Sequence, residues 1–242
     1  MAAEERSFLI DGRPLTLLFE RKRVKRINLR VRRDGSLYLS APPRVSEAVI
    51  EQFLKLHLDR ISAAVSRQQD RAKASPQLTA TDGEQLSIAG EAHILRICKG
   101  KSTQSLREGG VLYLFLQRPD DQAARQRALD RYIKEEALRL LGARLALLAP
   151  LLLEEQPQLQ VKWMRSRWGS CTPSKNLVVL NQRLLFAPPA TVDYVIFHEL
   201  CHYRVADHSP AFYRELSRCC PEHRALRCAL AAAPMPALAW RA

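Results

Sequence analysis

The sequence predicts an α+β fold in which a β-rich half, residues 1–118, precedes a mainly helical half, residues 119–242. Short apolar runs broken at glycines fill the first half around one amphipathic helix, while apolar residues at helical spacing dominate the second. The change of pattern near residue 118 predicts a soft domain boundary. No Ser/Gly-rich linker marks it, so the two halves can pack as one unit.

The first half opens with a predicted hairpin, in which strands around Phe8–Ile10 and Leu15–Phe19 are joined at Asp11-Gly12. Residues 21–33 carry eight basic side chains among thirteen, and alternating apolar residues indicate a half-buried strand with a basic outer face. A turn at Asp34-Gly35 leads into the next strand. The remaining predicted elements are one long helix over residues 47–69, capped by Ser46, and strands at 86–88, 92–98 and 111–116.

The second half begins with a long helical stretch from Pro119 to about Leu148, which prolines then end. Two strands are predicted at Gln158–Arg165 and Leu177–Asn181, around a turn at residues 172–176. A helix that carries residues 195–202 follows, and two more helices are predicted at residues 210–218 and 222–232.

Two histidines four residues apart, His198 and His202, follow an apolar run. On an α-helix each residue turns about 100° and rises about 1.5 Å, so both rings lie on one face. They can therefore offer two nitrogens to one ion at roughly 2.0–2.1 Å. Glu199 stands beside that face, where it can act as a general base on water without binding the ion. This is the H-E-x-x-H arrangement of zinc hydrolases.

A catalytic zinc ion normally takes three protein ligands, and His208 is the candidate for the third. If the helix continued past His202, His208 would lie about 9 Å further along its axis and off the metal face. The helix must therefore end between them. Asp207 is a plausible residue for the bend because Asp tolerates left-handed backbone angles. Ser209-Pro210 is typical of a new helix start.

Three other histidines and one cysteine have more ordinary interpretations. His57 is expected on the surface of the first long helix, His93 as a hydrogen-bonded strand residue, and His223 as an exposed residue of the last helix. Cys201 lies inside the motif, but on a helix it points away from the two histidines. We therefore predict a packing role for Cys201.

Composition indicates a folded protein with a strongly basic surface, since the net charge is 38 − 25 = +13. Acidic residues stand in Met1–Arg6, where an export signal would be positive, and no stretch of about 18 apolar residues follows. We therefore expect a cytoplasmic protein with no membrane span. Its six cysteines lack zinc-knuckle spacing and are expected to be reduced thiols.

The basic surplus favours polyanions such as nucleic acid, nucleotides or acidic peptides, or it serves solubility alone. For the basic strand of residues 21–33 we favour protection of an exposed sheet edge. The alternative is a phosphate-tracking groove, but few aromatic residues are interleaved to stack on bases.

Four pieces of the second half resemble one known family: Trp168-Gly169-Ser170-Cys171, Ala187-Pro188-Pro189, His198–His202 and His208–Phe212. Together they are similar to the YgjP-like metallopeptidases. The His-Ser-Pro-x-Phe piece is more distantly similar to SprT-like zinc metalloproteases. The match is specific over residues 165–212 and looser before residue 120, where the basic strand and the Asp34-Gly35 turn also fit the pattern.

The resemblance implies a zincin-like fold, with the metal-site helix packed on a small antiparallel or mixed sheet. It implies Zn²⁺ on His198, His202 and His208, with Glu199 as general base and a protein or peptide as substrate. It also implies substrate-binding residues near the site: Arg165, Arg167, Trp168, Ser170 and Asn181.

Two further functions stay open. Arg165 and Arg167 could seat a nucleoside triphosphate, and YgjP-like proteins have also been associated with nucleotide pyrophosphatase activity. No Gly-rich phosphate loop supports this, and a magnesium site would prefer carboxylates to histidines. The third reading is a nucleic-acid-binding module with a structural zinc ion. Such a site needs a fourth protein ligand. The sequence shows none at short range and leaves Cys171 open as one.

Overall fold

The computed structural model confirms the α+β class, and it describes residues 3–32, 36–74, 77–233 and 235–241. The chain forms two compact units, Met1–Ser75 and Pro76–Ala242. This division falls earlier than residue 118. The reason is that strand residues such as Leu114 share one hydrophobic core with helix residues such as Leu129. The change from strand to helix pattern therefore lies inside one core.

The first unit contains a four-stranded sheet in the order β1-β2-β4-β3. Its strands are β1 (Glu4–Ile10), β2 (Arg13–Arg21), β3 (Asn28–Val31) and β4 (Leu37–Ala41). The β1–β2 hairpin turns at Asp11 and Gly12, whose φ values of 48° and 77° suit a two-residue hairpin loop. The predicted Asp34-Gly35 turn lies outside the described residues.

Two helices pack on this sheet, α1 (Glu47–Leu56) and α2 (Leu58–Ala74), where the sequence predicted one. The break is at His57, whose φ of −112° and ψ of 9° leave the helical region. Ile50 and Leu54 are fully buried against the sheet residue Leu39. The amphipathic pattern therefore predicted the buried positions Ile50 and Leu54. It did not predict the break, and Val49 and Leu56, which share the apolar pattern, are exposed.

The basic stretch has the predicted half-buried character. Leu29 and Val31 are partly buried in β3, while Arg30 and Arg32 are exposed beside them. Within the described part of the sheet, β3 pairs with β4 alone and forms an edge. Exposed cations on an edge strand are the arrangement that protects a sheet against further pairing.

The second unit begins with strands β5 (Gln77–Leu78), β6 (Gln85–Ile88), β7 (Glu91–Lys99), β8 (Gln104–Glu108) and β9 (Val111–Leu116). Four of them form a sheet in the order β6-β7-β9-β8. The sequence did not predict β8. Its residues are largely polar and exposed at the edge of the sheet, so no apolar alternation marks them.

A long helix, α3 (Gln122–Leu148), follows as predicted. Its N-cap is Asp121, whose Oδ1 accepts a hydrogen bond of 3.1 Å from the Ala124 backbone N–H. Leu129, Leu141 and Leu145 are buried on one face of α3 and join the core of the unit.

A second, three-stranded sheet consists of β10 (Gln158–Lys162), β11 (Gly169–Thr172) and β12 (Leu177–Asn181), in the order β10-β12-β11. The strand β12 pairs in parallel with β10 and antiparallel with β11. The sequence predicted a strand to Arg165, whereas β10 ends at Lys162 and a loop of residues 163–168 leads into β11. We call residues 163–168 the wall loop.

The helices that follow are α4 (Pro189–Cys201), α5 (Pro210–Cys219) and α6 (His223–Ala232), and a short strand β13 (Ala237–Leu238) pairs with β5. The helix α4 packs beside β11 and is tied to α3 by an ion pair between Asp193 and Arg144. His223 is buried, and its Nε2 is hydrogen-bonded to Ser217 Oγ at 3.0 Å. The expectation that His223 is exposed was therefore wrong.

Of the helices in the described ranges, none combines the length and the apolar character needed to cross a membrane.

Candidate metal centre

Three imidazoles meet at the end of α4. His198 is in the last turn of the helix and His202 is its C-cap, and their ring centroids are 5.2 Å apart. His208, from the segment between α4 and α5, lies 5.0 Å and 4.9 Å from those two rings. Its Nε2 is 3.0 Å from His198 Nε2. Among the described residues, these three form the group with metal-ligand geometry, and their donor atoms lie within 4.8 Å of one another.

The chain turns between His202 and His208 without a left-handed residue at Asp207. The positive φ values of described non-glycine residues lie elsewhere in the chain. Instead, Val205 N donates to Cys201 O at 3.0 Å, and Asp207 Oδ1 accepts from the Ser209 N–H at 3.3 Å. The expectation about Asp207 was therefore wrong in its backbone angle, because its side chain makes the bend by accepting from the chain two residues on.

The backbone carbonyl of Val205 fixes the orientation of His202. The carbonyl can only accept, so His202 Nδ1 carries the proton in this 3.1 Å hydrogen bond and Nε2 keeps its lone pair. Burial lowers the pKa of His202, and burial with the two neighbouring histidines lowers the pKa of His198 to about 4. Both rings are therefore neutral near pH 7, the form that binds a metal ion. The sequence could not predict this hydrogen bond, because its acceptor is a backbone carbonyl that any residue type carries.

Phe212, on α5, packs against all three imidazoles. Its side chain is fully buried, and its ring centroid lies 4.9, 4.7 and 4.9 Å from those of His198, His202 and His208. The apolar ring supports the histidines without competing for a metal ion.

We expect Phe212→Ala to lower the free energy of unfolding by about 3–5 kcal/mol, because it removes a fully buried aromatic ring and leaves a cavity. Urea unfolding of the metal-free protein measures this. The neighbouring Tyr213, whose side chain is 37% exposed, is the control, and Tyr213→Ala should cost clearly less. Equal losses in the two variants would contradict a specific role for Phe212.

Glu199 lies beside the histidines but outside the three-nitrogen group. Its side chain is 6% exposed and lines the same cleft. Burial raises the pKa of Glu199 to about 7, and the positive charge of Arg167 acts in the opposite direction. A carboxyl group with this pKa can both take up and release a proton near neutral pH.

Gly169 brings the backbone of β11 against Glu199. A Cβ atom at Gly169 would lie 2.6 Å from Glu199 Oε1 and 2.8 Å from its Cγ and Cδ. These distances are shorter than any normal contact, so the position has no room for a side chain. Sequence reasoning missed this role because it depends on a contact between residues thirty positions apart.

We expect Gly169→Ala to displace the Glu199 carboxylate and to lower kcat about 100-fold, the effect that a shift of about 1 Å in a reacting group can have. Metal content should stay at the wild-type level, because the three histidines are not contacted. Gly142→Ala is the control, because a Cβ atom at Gly142 of α3 would meet only Leu159 Cδ2, at an ordinary 3.6 Å. Full activity in Gly169→Ala would show that the carboxylate position is not critical.

A cleft of about 600 Å³ opens over the histidines and Glu199. Of the residues predicted to bind substrate, Arg167, Trp168 and Ser170 line this cleft. Arg165 and Asn181 are not among its lining residues. Arg165 is exposed elsewhere on the wall loop.

Asn181 instead holds the wall loop in place. It is 1% exposed, and its Nδ2 donates to the carbonyls of Met164 and Arg167 at 2.8 Å each. Its Oδ1 accepts from the backbone N–H groups of Arg183 and Met164. Backbone partners therefore occupy both ends of the Asn181 amide, which leaves no group for a substrate.

Cationic and aromatic side chains brace the same loop. The Arg183 guanidinium lies 5.5 Å from the Trp168 ring and 6.0 Å from the Trp163 ring. The Arg241 guanidinium lies 4.9 Å from the Trp163 ring. It also forms an ion pair with Asp130 of α3 at 3.0 Å. Residues near the C-terminus thus contact the loop that borders the cleft.

Comparison with known proteins identifies the family. The family described as YgjP-like, metallopeptidase domain, matches residues 25–233. The chain belongs to the YgjP-like family. A solved structure, the metallopeptidase zymogen jannalysin of Methanocaldococcus jannaschii, is 21% identical over 39% of this chain and 89% of that one, with a TM-score of 0.26. That structural likeness is too low to support any argument. No curated protein matches the chain.

A metallopeptidase of the YgjP-like family requires a metal ion, and the residues present fit one. Three imidazoles converge in a cleft, and His202 is oriented by a hydrogen bond through its second nitrogen. Nitrogen donors of this kind suit zinc and neighbouring transition metals.

Proposed function

We propose that this YgjP-like protein is a zinc-dependent peptidase that uses Glu199 as its general base. The observation that supports it best is the convergence of His198, His202 and His208 beside a buried carboxylate in one cleft. Three nitrogen ligands leave one position of a four-coordinate ion open, which is typical of catalytic rather than structural zinc sites.

A bound Zn²⁺ would supply a Lewis acid and would lower the pKa of water toward about 7. Glu199 takes the proton from the attacking water on a carboxylate oxygen and later gives it to the leaving amine. Gly169 leaves room for that carboxylate, because a side chain at this position would overlap it. Burial lowers the pKa values of His198 and His202, and these two rings take no part in the proton transfer.

The free edge of β11 suits an extended peptide. Within the described part of its sheet, β11 pairs with β12 alone, and its residues Gly169, Ser170 and Cys171 line the cleft. A substrate strand can add its backbone hydrogen bonds to such an edge. This would carry the scissile carbonyl past Glu199.

The two alternative functions, nucleoside triphosphate hydrolysis and nucleic-acid binding with a structural zinc ion, have less support. Arg167 is the one non-histidine cationic side chain that lines the cleft in the described chain, which is little charge for a nucleoside triphosphate. A structural zinc ion would need a fourth ligand, and in the described ranges Cys171 is not part of the three-histidine group. The exposed cations of residues 21–32 alone do not favour a nucleic acid.

The test is an assay of purified protein on an unfolded protein and on a panel of nucleoside triphosphates, before and after removal of metal by a chelator. We expect the enzyme to hydrolyse the unfolded protein and none of the triphosphates. The chelator should abolish this activity, and added Zn²⁺ should restore it. Metal analysis of the protein should find about one zinc per chain. Hydrolysis of triphosphates without peptide cleavage would overturn the proposal.

A further inference from the structure

We propose that Arg167 selects peptide substrates that carry a carboxylate group next to the scissile bond. This inference rests on the proposed peptidase function and goes beyond it, because it names the chemical class of substrate. The carboxylate can belong to an Asp or Glu side chain or to the C-terminus of the peptide, and the experiment below distinguishes these sources.

The first support is the position of Arg167. Its side chain is exposed and lines the cleft that contains Glu199 and the histidines. Within the described ranges it forms no ion pair, whereas Arg144, Arg204 and Arg218 of the same unit are all paired with carboxylates. A guanidinium that is left unpaired in a cleft is available to a ligand, and its planar fork matches a carboxylate.

The second support is the charge of the cleft. Apart from the histidines, the charged side chains that line it in the described chain are Arg167 and Glu199. Glu199 is assigned to proton transfer in the proposed function, so Arg167 is the one cation left for substrate, and it suits a group with one negative charge. A triphosphate would bring several negative charges and would need more cations or a cradle of backbone N–H groups. The cleft therefore suits a carboxylate better than a nucleotide.

The third support is that the backbone of Arg167 is held in place. Its carbonyl accepts a hydrogen bond of 2.8 Å from the buried Asn181 side chain. The next residue, Trp168, packs under the Arg183 guanidinium at 5.5 Å. A charge on a fixed backbone loses less entropy when it binds a ligand than one on a mobile loop.

The wall loop offers a matched control. Arg165 stands two residues before Arg167 and is also exposed, but it is not among the residues that line the cleft. Arg165→Ala and Arg167→Ala remove the same charge from the same loop. An effect of net charge alone will appear equally in both variants. Because the charge of Arg167 also acts to lower the pKa of Glu199, the variants are compared in their preference between two peptides and not in total activity.

The experiment compares cleavage of peptide pairs in which Glu replaces Gln at successive positions around the scissile bond. At one position the wild type should prefer Glu by about tenfold in kcat/KM, mainly through KM. Arg167→Ala should lose this preference, and Arg165→Ala should keep it. Pairs with free and amidated C-termini separate a terminal carboxylate from a side-chain one, and either source supports the proposal.

A binding arm keeps this inference separate from the proposed function. Fluorescence anisotropy of labelled peptides is measured with Glu199→Gln protein, with and without Arg167→Ala. If the Glu peptide bound in an Arg167-dependent way but the wild type did not cleave it, the proposed peptidase function would be wrong. The carboxylate-binding site at Arg167 would still be supported. Three results would overturn the inference. The first is the same preference for the Glu peptide in the wild type and in Arg167→Ala, and the second is an equal loss of that preference in Arg165→Ala. The third is Arg167-dependent binding of ATP in place of peptides.

Discussion

Glu199→Gln is expected to keep the metal ion and to lose about 10²–10⁴-fold in kcat, the usual contribution of a general base. The amide has nearly the same shape as the carboxyl group but cannot take up a proton near neutral pH. Because Glu199 lies outside the three-nitrogen group, the ligand set is unchanged. Metal analysis and single-turnover cleavage of a peptide, measured on the same preparation, provide the two readouts.

Glu108→Gln is the matched control, because Glu108 is an exposed carboxylate on the edge strand β8. It should behave as the wild type in both readouts. Normal turnover in Glu199→Gln would exclude Glu199 as the base. Loss of the metal ion together with activity would indicate instead that Glu199 supports the ligands.

His208→Ala is expected to weaken metal binding by more than about 100-fold, since loss of a second-sphere partner alone costs 10–100-fold. His198 and His202 remain on the helix end, but two imidazoles hold an ion far less tightly than three. His208 is exposed, so the metal-free variant should unfold at the same urea concentration as the metal-free wild type. Calorimetric titration with Zn²⁺ measures the affinity.

His57→Ala removes a histidine from the other unit and is the control for this experiment. It should bind Zn²⁺ as the wild type does. If His208→Ala bound the ion with unchanged affinity, the third ligand would have to come from another residue.

The central cluster was accessible from sequence because it depends on local spacing. Residues four apart on a helix share a face, which predicted that His198 and His202 lie together. The need for a third ligand pointed to His208 beyond the helix end. The contacts that support the cluster were not accessible. The Val205 carbonyl has no side-chain signature, and the approach of Gly169 to Glu199 is set by the packing of β11 beside α4.

The fold shows the same division between local and long-range information. Strong helical periodicity predicted α3 to within a few residues. The polar edge strand β8 carried no apolar alternation and was missed. The boundary expected near residue 118 followed the change of element type, whereas the core that joins Leu114 to Leu129 is a property of packing. Asn181 was predicted to bind substrate, but its side chain does not line the cleft and instead donates to backbone carbonyls of the wall loop.

The contacts of Arg241 have a practical consequence for designing shortened forms of the protein. Arg241 joins Asp130 to the Trp163 ring, and Trp240 Nε1 donates to Asp130 at 2.9 Å. A shortened chain that lacks Trp240 and Arg241 would lose these contacts while keeping every residue that lines the cleft. Truncations designed for crystallisation or assay should therefore retain both residues.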